Sequence, residues 1–167
     1  MAEAGVSRGA MYHHFRDKND LFREVFVQLE EEVCVEMTAR IDAEDNVIAG
    51  LQRGIGWFLD MCERPDMRRI GLLDAPAVLG WAQWRRIETE YALGVLTERL
   101  RAAEREGASL PGPVEVVGSM LFAAVIDAAL TITDADDPDA TRARVEPTLY
   151  LLSARVLGID PASIGEP

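Results

Sequence analysis

The chain has 167 residues, enough for one medium-sized domain with a substantial core, and 49% of them are hydrophobic, which excludes an intrinsically disordered protein. The formal net charge is −12 and is unevenly placed. Residues 1–18 carry three basic and two acidic side chains, whereas the remainder carries 14 basic and 27 acidic ones. The charge of residues 19–167 is too negative for nucleic acid to wrap around them, so any contact with phosphate is expected from the N-terminal residues.

The composition favours an all-α protein, because helix-forming residues are plentiful and alternating runs of Val, Ile and Thr are absent. Cys34 and Cys62 lack metal-ligand spacing, so we expect reduced, partly buried thiols in a cytoplasmic protein without metal or cofactor. The polar N-terminus predicts no signal peptide. Residues 116–133 resemble a membrane span in hydropathy, but Asp127 favours a helix buried inside protein, and we expect no membrane partner.

Two helices are predicted at the N-terminal end. The turn signal at Gly5 precedes a short helix over about residues 7–14. Asp17 then caps a long helix, which would measure about 37 Å if it runs to Ile41. Its apolar stripe consists of Leu21, Phe22, Val25, Phe26, Leu29, Val33 and Met37.

The middle of the chain predicts three further helices. The first spans about 46–63 and the second about 65–73, followed by a break at 74–76. A long helix then begins at residue 77 or 81 and continues to Glu106, where Gly107 closes it.

The C-terminal part predicts two helices after a loop at 108–113. The first covers 114–134, and the second ends at about Leu157, before Gly158. Pro147 either kinks this last helix or marks its true start.

Residues 5–18, GVSRGAMYHHFRDK, followed by Leu21 and Phe22, resemble the turn, recognition helix and following helix of the TetR family, over about the first 26 residues. Gly5 allows the tight turn between helices. Val6 and Met11, with Phe15, fall on the inward side and would anchor a helix too short to be stable alone.

The resemblance implies DNA-binding roles. Arg8, Gly9 and Ala10 would face the bases, and Arg8 is the strong donor to a guanine edge. Lys18 places a positive charge at the positive, N-terminal end of its own helix dipole, which is unfavourable unless a phosphate lies nearby. The residues expected mostly at the phosphates are Ser7, Tyr12, His13, His14 and Lys18. The alternative is an amphipathic helical hairpin with solvated charges; adjacent histidines point about 100° apart, which does not favour a shared metal.

The sequence also departs from the family. A TetR-type DNA-binding domain has three helices, and residue 1 corresponds to the end of the second, so the first helix and most of the second are missing. Either the start codon was assigned late or upstream residues were removed. We therefore expect the chain as given to bind DNA poorly or not at all.

A second resemblance covers about residues 72–158. The segment 74–81, with Trp84 and Tyr91, is similar to the effector domain of TetR members, which implies a bundle whose last two helices pair with a symmetry mate. The helix near 114–132 is apolar on nearly every face and needs cover from its own core and from a partner, as in a four-helix interface; the alternative is a monomer core. The expected dimer contacts are Val117, Leu121, Ala124, Leu149, Leu152 and Val156.

An apolar, adaptable pocket for a small hydrophobic effector is expected in this domain, although the same residues would also suit an ordinary core. Its expected lining is Trp57, Phe58, Met61, Trp84, Tyr91, Phe122 and Asp127. Asp127 would pair with a core arginine, bind a polar or cationic ligand group, or face solvent.

These inferences give an all-α protein with a partial helix-turn-helix at 1–41 and a ligand-binding, dimerising helical domain at 42–167. The expected function is a ligand-responsive, DNA-binding transcriptional repressor, a cytoplasmic homodimer that releases operator DNA on binding its effector. The alternative is a dimeric helical adaptor or ligand carrier without DNA binding. An enzyme is not expected, because no catalytic triad order, metal-ligand spacing or Gly-rich phosphate loop is present.

Overall fold

The computed structural model describes residues 15–158, which form helices and connecting turns without a strand. The first helix, α1, runs without interruption over Lys18–Asp42. Its cap is the predicted Asp17, whose carboxylate accepts a hydrogen bond from the backbone N–H of Asp20 at 2.8 Å. The prediction of a long, uninterrupted helix is therefore confirmed.

Helix α2, Val47–Glu63, begins at the predicted cap Asn46, whose side chain accepts from the N–H of Ala49 at 2.9 Å. It packs closely on the end of α1 because two of its residues lack side chains. A Cβ on Gly50 would lie 2.9 Å from the carbonyl oxygen of Ile41, and one on Gly54 would lie 2.9 Å from Cγ1 of Ile41. Glycine is thus required where the two helices meet.

A continuous irregular helical segment follows, made of α3 (Pro65–Met67), a π-helical stretch (Arg68–Asp74) and α4 (Ala75–Leu79). The predicted break at 74–76 is wrong. Pro76 lies in the first turn of α4, where its missing N–H disturbs the helix least. The chain instead turns at Gly80, whose φ of +76° is a conformation that favours glycine.

The predicted long helix is divided into α5, Trp81–Glu90, and α6, Ala92–Arg105. The irregularity is confined to Tyr91, with φ −106° and ψ −102°, and its N–H still donates to the carbonyl of Ile87 at 3.0 Å. The predicted terminator Gly107 is confirmed, with φ +103°.

The last two helices are α7, Val114–Thr133, and α8, Pro138–Val156. Asp137 caps α8 by accepting from the N–H of Ala140 at 3.0 Å. Pro147 lies inside α8, so it does not mark the start of the helix. Gly158, with φ +69°, follows its end as predicted.

Helix α7 forms the centre of the bundle and packs against α2, α6 and α8. Within residues 15–158 it is the one helix long and apolar enough to cross a membrane, with a mean hydropathy of 1.9. Three groups of buried residues lie around it, and one of them consists of Ile48, Leu51, Leu100, Ala103, Val117, Leu121 and Leu157. The α2–α8 cluster consists of Ile55, Leu59, Cys62, Val125, Ala128, Ala129, Ile132 and Leu149. The α1–α5 cluster consists of Phe26, Ala75, Trp84, Ile87, Ala92, Leu93 and Phe122.

Helix α1 belongs to this bundle, since Phe26 is fully buried in the α1–α5 cluster. The expected division between residues 41 and 42 therefore does not coincide with a break in packing, and it stays a prediction about function.

Candidate functional site

Two carboxyl groups are buried inside the bundle, Glu30 on α1 and Glu88 on α5, with 5% and 4% of their surface exposed. Helical periodicity places them there, because Glu30 follows Phe26 by four residues and Glu88 follows Trp84 by four. Phe26 and Trp84 are both members of the α1–α5 cluster. Each acidic side chain thus lies on the inward face of its helix.

The buried polar atoms of this region are not fully paired. Glu30 Oε2 and Trp84 Nε1 have no hydrogen-bond partner in the part of the chain that the structure describes. None of the ion pairs formed between residues 15 and 158 includes Glu30 or Glu88. Since about nine in ten buried polar groups are paired in folded proteins, these atoms have unused bonding capacity.

Burial raises the pKa of both carboxyl groups, and the charge of Glu30 raises the pKa of Glu88 further. The charge of Arg85 acts in the opposite direction and lowers the pKa of Glu88. The indole of Trp84 also lies near enough to lower it, although Nε1 does not reach hydrogen-bond geometry. At neutral pH the pair therefore retains a proton.

Arg85 does not neutralise the pair. Its guanidinium group donates a hydrogen bond to Oγ of Ser119 on α7, and its Cζ lies 5.6 Å from the centroid of the Phe122 ring. The cation is therefore held against α7.

Two thiols lie within the electrostatic reach of the carboxylates. Burial, followed by the charges of Glu30 and Glu88, raises the pKa of both Cys34 and Cys62 to about 12. Thiols with such a pKa are poor nucleophiles and poor metal ligands at neutral pH. Among residues 15–158, no three His, Cys, Asp or Glu side chains are placed to hold a metal ion together.

A small apolar cavity of about 50 Å³ adjoins this region. Ala92 and Phe122 line it and also belong to the α1–α5 cluster, so the cavity adjoins that cluster, although neither Glu30 nor Glu88 lines it. Ligand sites usually measure about 300–1,000 Å³, so a drug-sized effector would have to widen the cavity. Its lining is Met37, Ile41, Leu51, Gly54, Ile55, Phe58, Ala92, Val95, Leu96, Phe122 and Val125.

The predicted ligand residues do not all meet in one cavity. Phe58 and Phe122 line the apolar cavity, and Trp84 is buried in the neighbouring cluster. Trp57 instead lies beneath the guanidinium group of Arg40, at 4.6 Å, in a separate open cleft of about 1,180 Å³. The expectation of one cavity ringed by the predicted aromatic residues is therefore wrong.

The other predicted ligand residues also lie apart. Tyr91 donates a hydrogen bond from its hydroxyl to Glu31 at 3.2 Å and lines a different depression. Met61 is half-buried. Asp127 is exposed on α7. Of the three alternatives given for this residue, it therefore follows the one in which it faces solvent. Aromatic composition indicated the right domain but not which helix face each ring occupies.

Most of the predicted DNA-binding residues lie outside the described residues. This applies to Ser7, Arg8, Gly9, Ala10, Tyr12, His13 and His14, and to the helix expected at 7–14. Lys18 is described, and it is exposed as the first residue of α1.

The predicted dimer contacts divide between the inside and the outside of the protomer. Val117, Leu121 and Leu149 are buried in its own core, so their assignment to the partner surface is wrong. Ala124 and Val156 are half-buried, and Leu152 is 44% exposed. A helix that is apolar all round does not reveal which side faces inward, and this caused the error. The exposed apolar residues of α7 and α8 are Val116, Met120, Leu151 and Leu152.

Sequence reasoning missed both Glu30 and Glu88, although the sequence contains a signal for them. Glu30 lies four residues after Phe26 and three before Val33, both on the buried stripe. Glu88 lies four residues before Ala92 and next to Ile87. A charged residue at an apolar position of a helix is the pattern that could have been noticed.

Two family models match the chain. The model described as "Tetracyclin repressor-like, C-terminal domain" matches residues 48–155, and "Bacterial regulatory proteins, tetR family" matches residues 1–25. The chain is similar to the "Nucleoid occlusion factor SlmA" of Marinomonas sp. (strain MWYL1), with 29% identity over 105 residues, which are 62% of this chain and 52% of that protein. It thus spans about half the length of this curated relative.

A solved structure agrees with the family models. The crystal structure of a TetR-family transcriptional regulator from Pectobacterium atrosepticum is 28% identical, with a TM-score of 0.80, and the match covers 93% of this chain and 80% of that one. The all-α fold is that of such a regulator, and the fold and family are those of transcriptional regulators, not enzymes. The chain belongs to the TetR family.

Proposed function

We propose that the protein is a ligand-responsive, DNA-binding transcriptional repressor that acts as a cytoplasmic homodimer and releases operator DNA when an effector binds. The observation that carries this proposal is the position of α1. This helix begins at Lys18, inside the segment matched by the N-terminal TetR model, and continues to the buried Glu30. One rigid element thus extends from the DNA-binding segment into the bundle.

The proposed dimer uses the outer face of α7 and α8. Members of the family dimerise, and this face exposes Met120 at 70%, Val116 at 49% and Leu151 at 47% of their surface. Monomeric proteins rarely leave adjoining apolar side chains so exposed. The two helices of each protomer would form a four-helix interface burying about 2,000 Å² or more.

The proposed mechanism depends on the distance between the two recognition helices of the dimer. Operator half-sites lie about 34–36 Å apart, so the protomers must hold these helices at a matching separation. An effector that favours another arrangement of the bundle shifts the separation. A coupling free energy of about 1–3 kcal/mol would change operator affinity about 5- to 150-fold.

The test is DNA binding by the chain as given and by a fusion that places the N-terminal helices of a TetR-family regulator before Met1. Arg8→Ala is expected to cost about 1–3 kcal/mol and to relax base preference. Lys18→Ala is the matched control. It should weaken binding to all DNA sequences alike and reduce the slope of log affinity against log salt concentration by about the contribution of one phosphate contact. Fluorescence anisotropy with operator and scrambled DNA measures both. If neither DNA is bound, the alternative of a dimeric adaptor or ligand carrier is favoured instead.

A further inference from the structure

We propose that the ligand of this protein is an organic cation with an apolar body, whose positive charge lies between Glu30 and Glu88. The inference rests on the proposed function, because it names the chemistry of the effector to which the regulator responds. It goes beyond a hydrophobic ligand by assigning a charge to the ligand and two residues to its recognition.

The first argument is the unused bonding capacity of the acidic pair. Glu30 and Glu88 are more than nine-tenths buried, each lies one helical turn after a residue of the α1–α5 cluster, and Glu30 Oε2 has no partner within residues 15–158. A buried polar atom without a partner is costly, and a buried charge is tolerated only when it is paired. A ligand cation supplies the missing partner of Glu30 and offsets the negative charge of the pair.

The second argument is the surroundings of the pair. The groups that interact electrostatically with the pair are the thiols of Cys34 on α1 and Cys62 on α2, the indole of Trp84, and Arg85. The thiols carry no charge at neutral pH, and Arg85 is bound to Ser119. The indole N–H of Trp84 has no partner in the described residues and is available to an ionised Glu88. Within residues 15–158, an anion would meet two carboxyl groups, and the nearby cation, Arg85, is already bound to Ser119.

The third argument is the adjoining apolar cavity, which suits the body of such a ligand. Ala92 and Phe122 in its wall also belong to the α1–α5 cluster, in which Phe26 and Trp84 lie one helical turn before Glu30 and Glu88. Met37 lines the cavity, and its flexible side chain allows the cavity to widen. Ile70, packed against the neighbouring cluster, belongs to a π-helical segment, a geometry that occurs frequently at functional sites.

The structural alternative is that the two carboxyl groups share a proton and contribute only to the architecture of the bundle. In that case no cation is preferred over an anion of the same shape. The two interpretations therefore differ in charge selectivity, which the wild-type protein reveals without any substitution.

The experiment compares ions of matched shape and opposite charge. The probes are tetraphenylphosphonium with tetraphenylborate, and benzyltrimethylammonium with benzylsulfonate, titrated into the full chain by calorimetry and by tryptophan fluorescence. We expect each cation to bind about tenfold or more tightly than its anion, which corresponds to about 1.4 kcal/mol. Because the pair retains a proton when empty, cation binding should release protons, seen as a heat that depends on the ionisation enthalpy of the buffer.

Isosteric variants locate the site. Glu30→Gln and Glu88→Gln preserve size, and each should weaken the cations about tenfold or more, whereas the double variant should abolish the proton release. Asp127→Asn removes an exposed carboxylate of α7 and should leave binding unchanged. Circular dichroism verifies that each variant is folded.

Equal affinity for cations and anions, binding of neither cation, or cation binding that Glu30→Gln and Glu88→Gln leave intact would each overturn the inference. The DNA experiment with Arg8→Ala and Lys18→Ala needs no ligand. Failure of the cation assignment is therefore distinguishable from failure of the proposed function.

Discussion

On one side of α7, helices α2 and α8 enclose an entirely apolar cluster; on the adjoining side, α1 and α5 place two carboxyl groups among the apolar side chains. The first side keeps its charges outside and paired. Arg142 joins α8 to α2 through Asp60 and Glu63, each at 2.6 Å, and also bonds Glu146 at 2.7 Å. The second side keeps its charges inside and unpaired. Side chains on the first side serve packing. The second side buries carboxyl groups, which costs free energy of folding, and such departures from packing rules are typical of functional sites.

The largest effect is expected on the outer surface of the apolar side. The double substitution Met120→Arg and Leu152→Arg places two charges in the proposed interface of each protomer, and burying them unpaired would cost roughly 5 kcal/mol or more. We expect a monomer at micromolar concentration by sedimentation velocity. Val35→Arg, at a position of α1 that is 71% exposed, is the control and should leave the dimer intact. If the double variant still sediments as a dimer, α7 and α8 do not form the interface.

The next effect concerns the interior of the α2–α8 cluster. Leu59 is 1% exposed, and Leu59→Ala should lower the free energy of unfolding by about 2–5 kcal/mol through lost burial and a residual cavity. The same substitution at Leu73, which is 48% exposed, should change it by less than about 0.5 kcal/mol. Urea denaturation at fixed protein concentration measures both. Equal losses at the two positions would contradict the packing described here.

The α1–α5 side should give the protein a distinctive dependence on pH. The folded-state pKa values of Glu30 and Glu88 are raised, so the folded protein keeps protons that the unfolded chain releases. Stability from this source is complete below the unfolded pKa of about 4.5 and is lost as pH rises through the folded values, by up to about 1.4 kcal/mol per pH unit for each group.

The measurement is the difference in free energy of unfolding between the wild type and the Glu30→Gln, Glu88→Gln double variant from about pH 5 to pH 8. The variant should lose less stability over this interval, and at the upper end it should be the more stable protein. Parallel curves would mean that the two carboxyl groups ionise as they do in water.

The smallest effect is expected on the thiols. With the pKa of Cys34 and Cys62 raised to about 12, alkylation by iodoacetamide at pH 8 should be about 1,000-fold slower than for free cysteine. Burial is the larger cause and survives substitution, so Glu30→Gln with Glu88→Gln should accelerate the reaction only about two- to fivefold. Mass spectrometry follows both sites, and half-buried Cys34 should react before Cys62. Unchanged rates in the double variant would place the carboxylates too far away to act on the thiols.

The sequence predicted the helices better than the site. Local signals specified the caps at Asp17 and Asn46 and the terminator Gly107, because a cap is determined by a few adjacent residues. The break predicted at 74–76 was wrong, since a proline in a first turn and a proline after a helix look alike. The site required knowledge of which helices face each other. Glu30 and Glu88 are 58 residues apart, and only the tertiary fold brings them to one cluster.

The uninterrupted course of α1 makes this helix a lever arm. Lys18 lies 12 residues before Glu30, a distance of about 18 Å along the axis. With no proline or glycine in α1 to absorb a bend, a tilt of about 10° at Glu30 moves the N-terminal end by about 3 Å. In a symmetric pair the two displacements add to about 6 Å when they are opposed. Binding of a small ligand could thereby change the separation of the two recognition helices, so that it no longer matches successive turns of the DNA major groove.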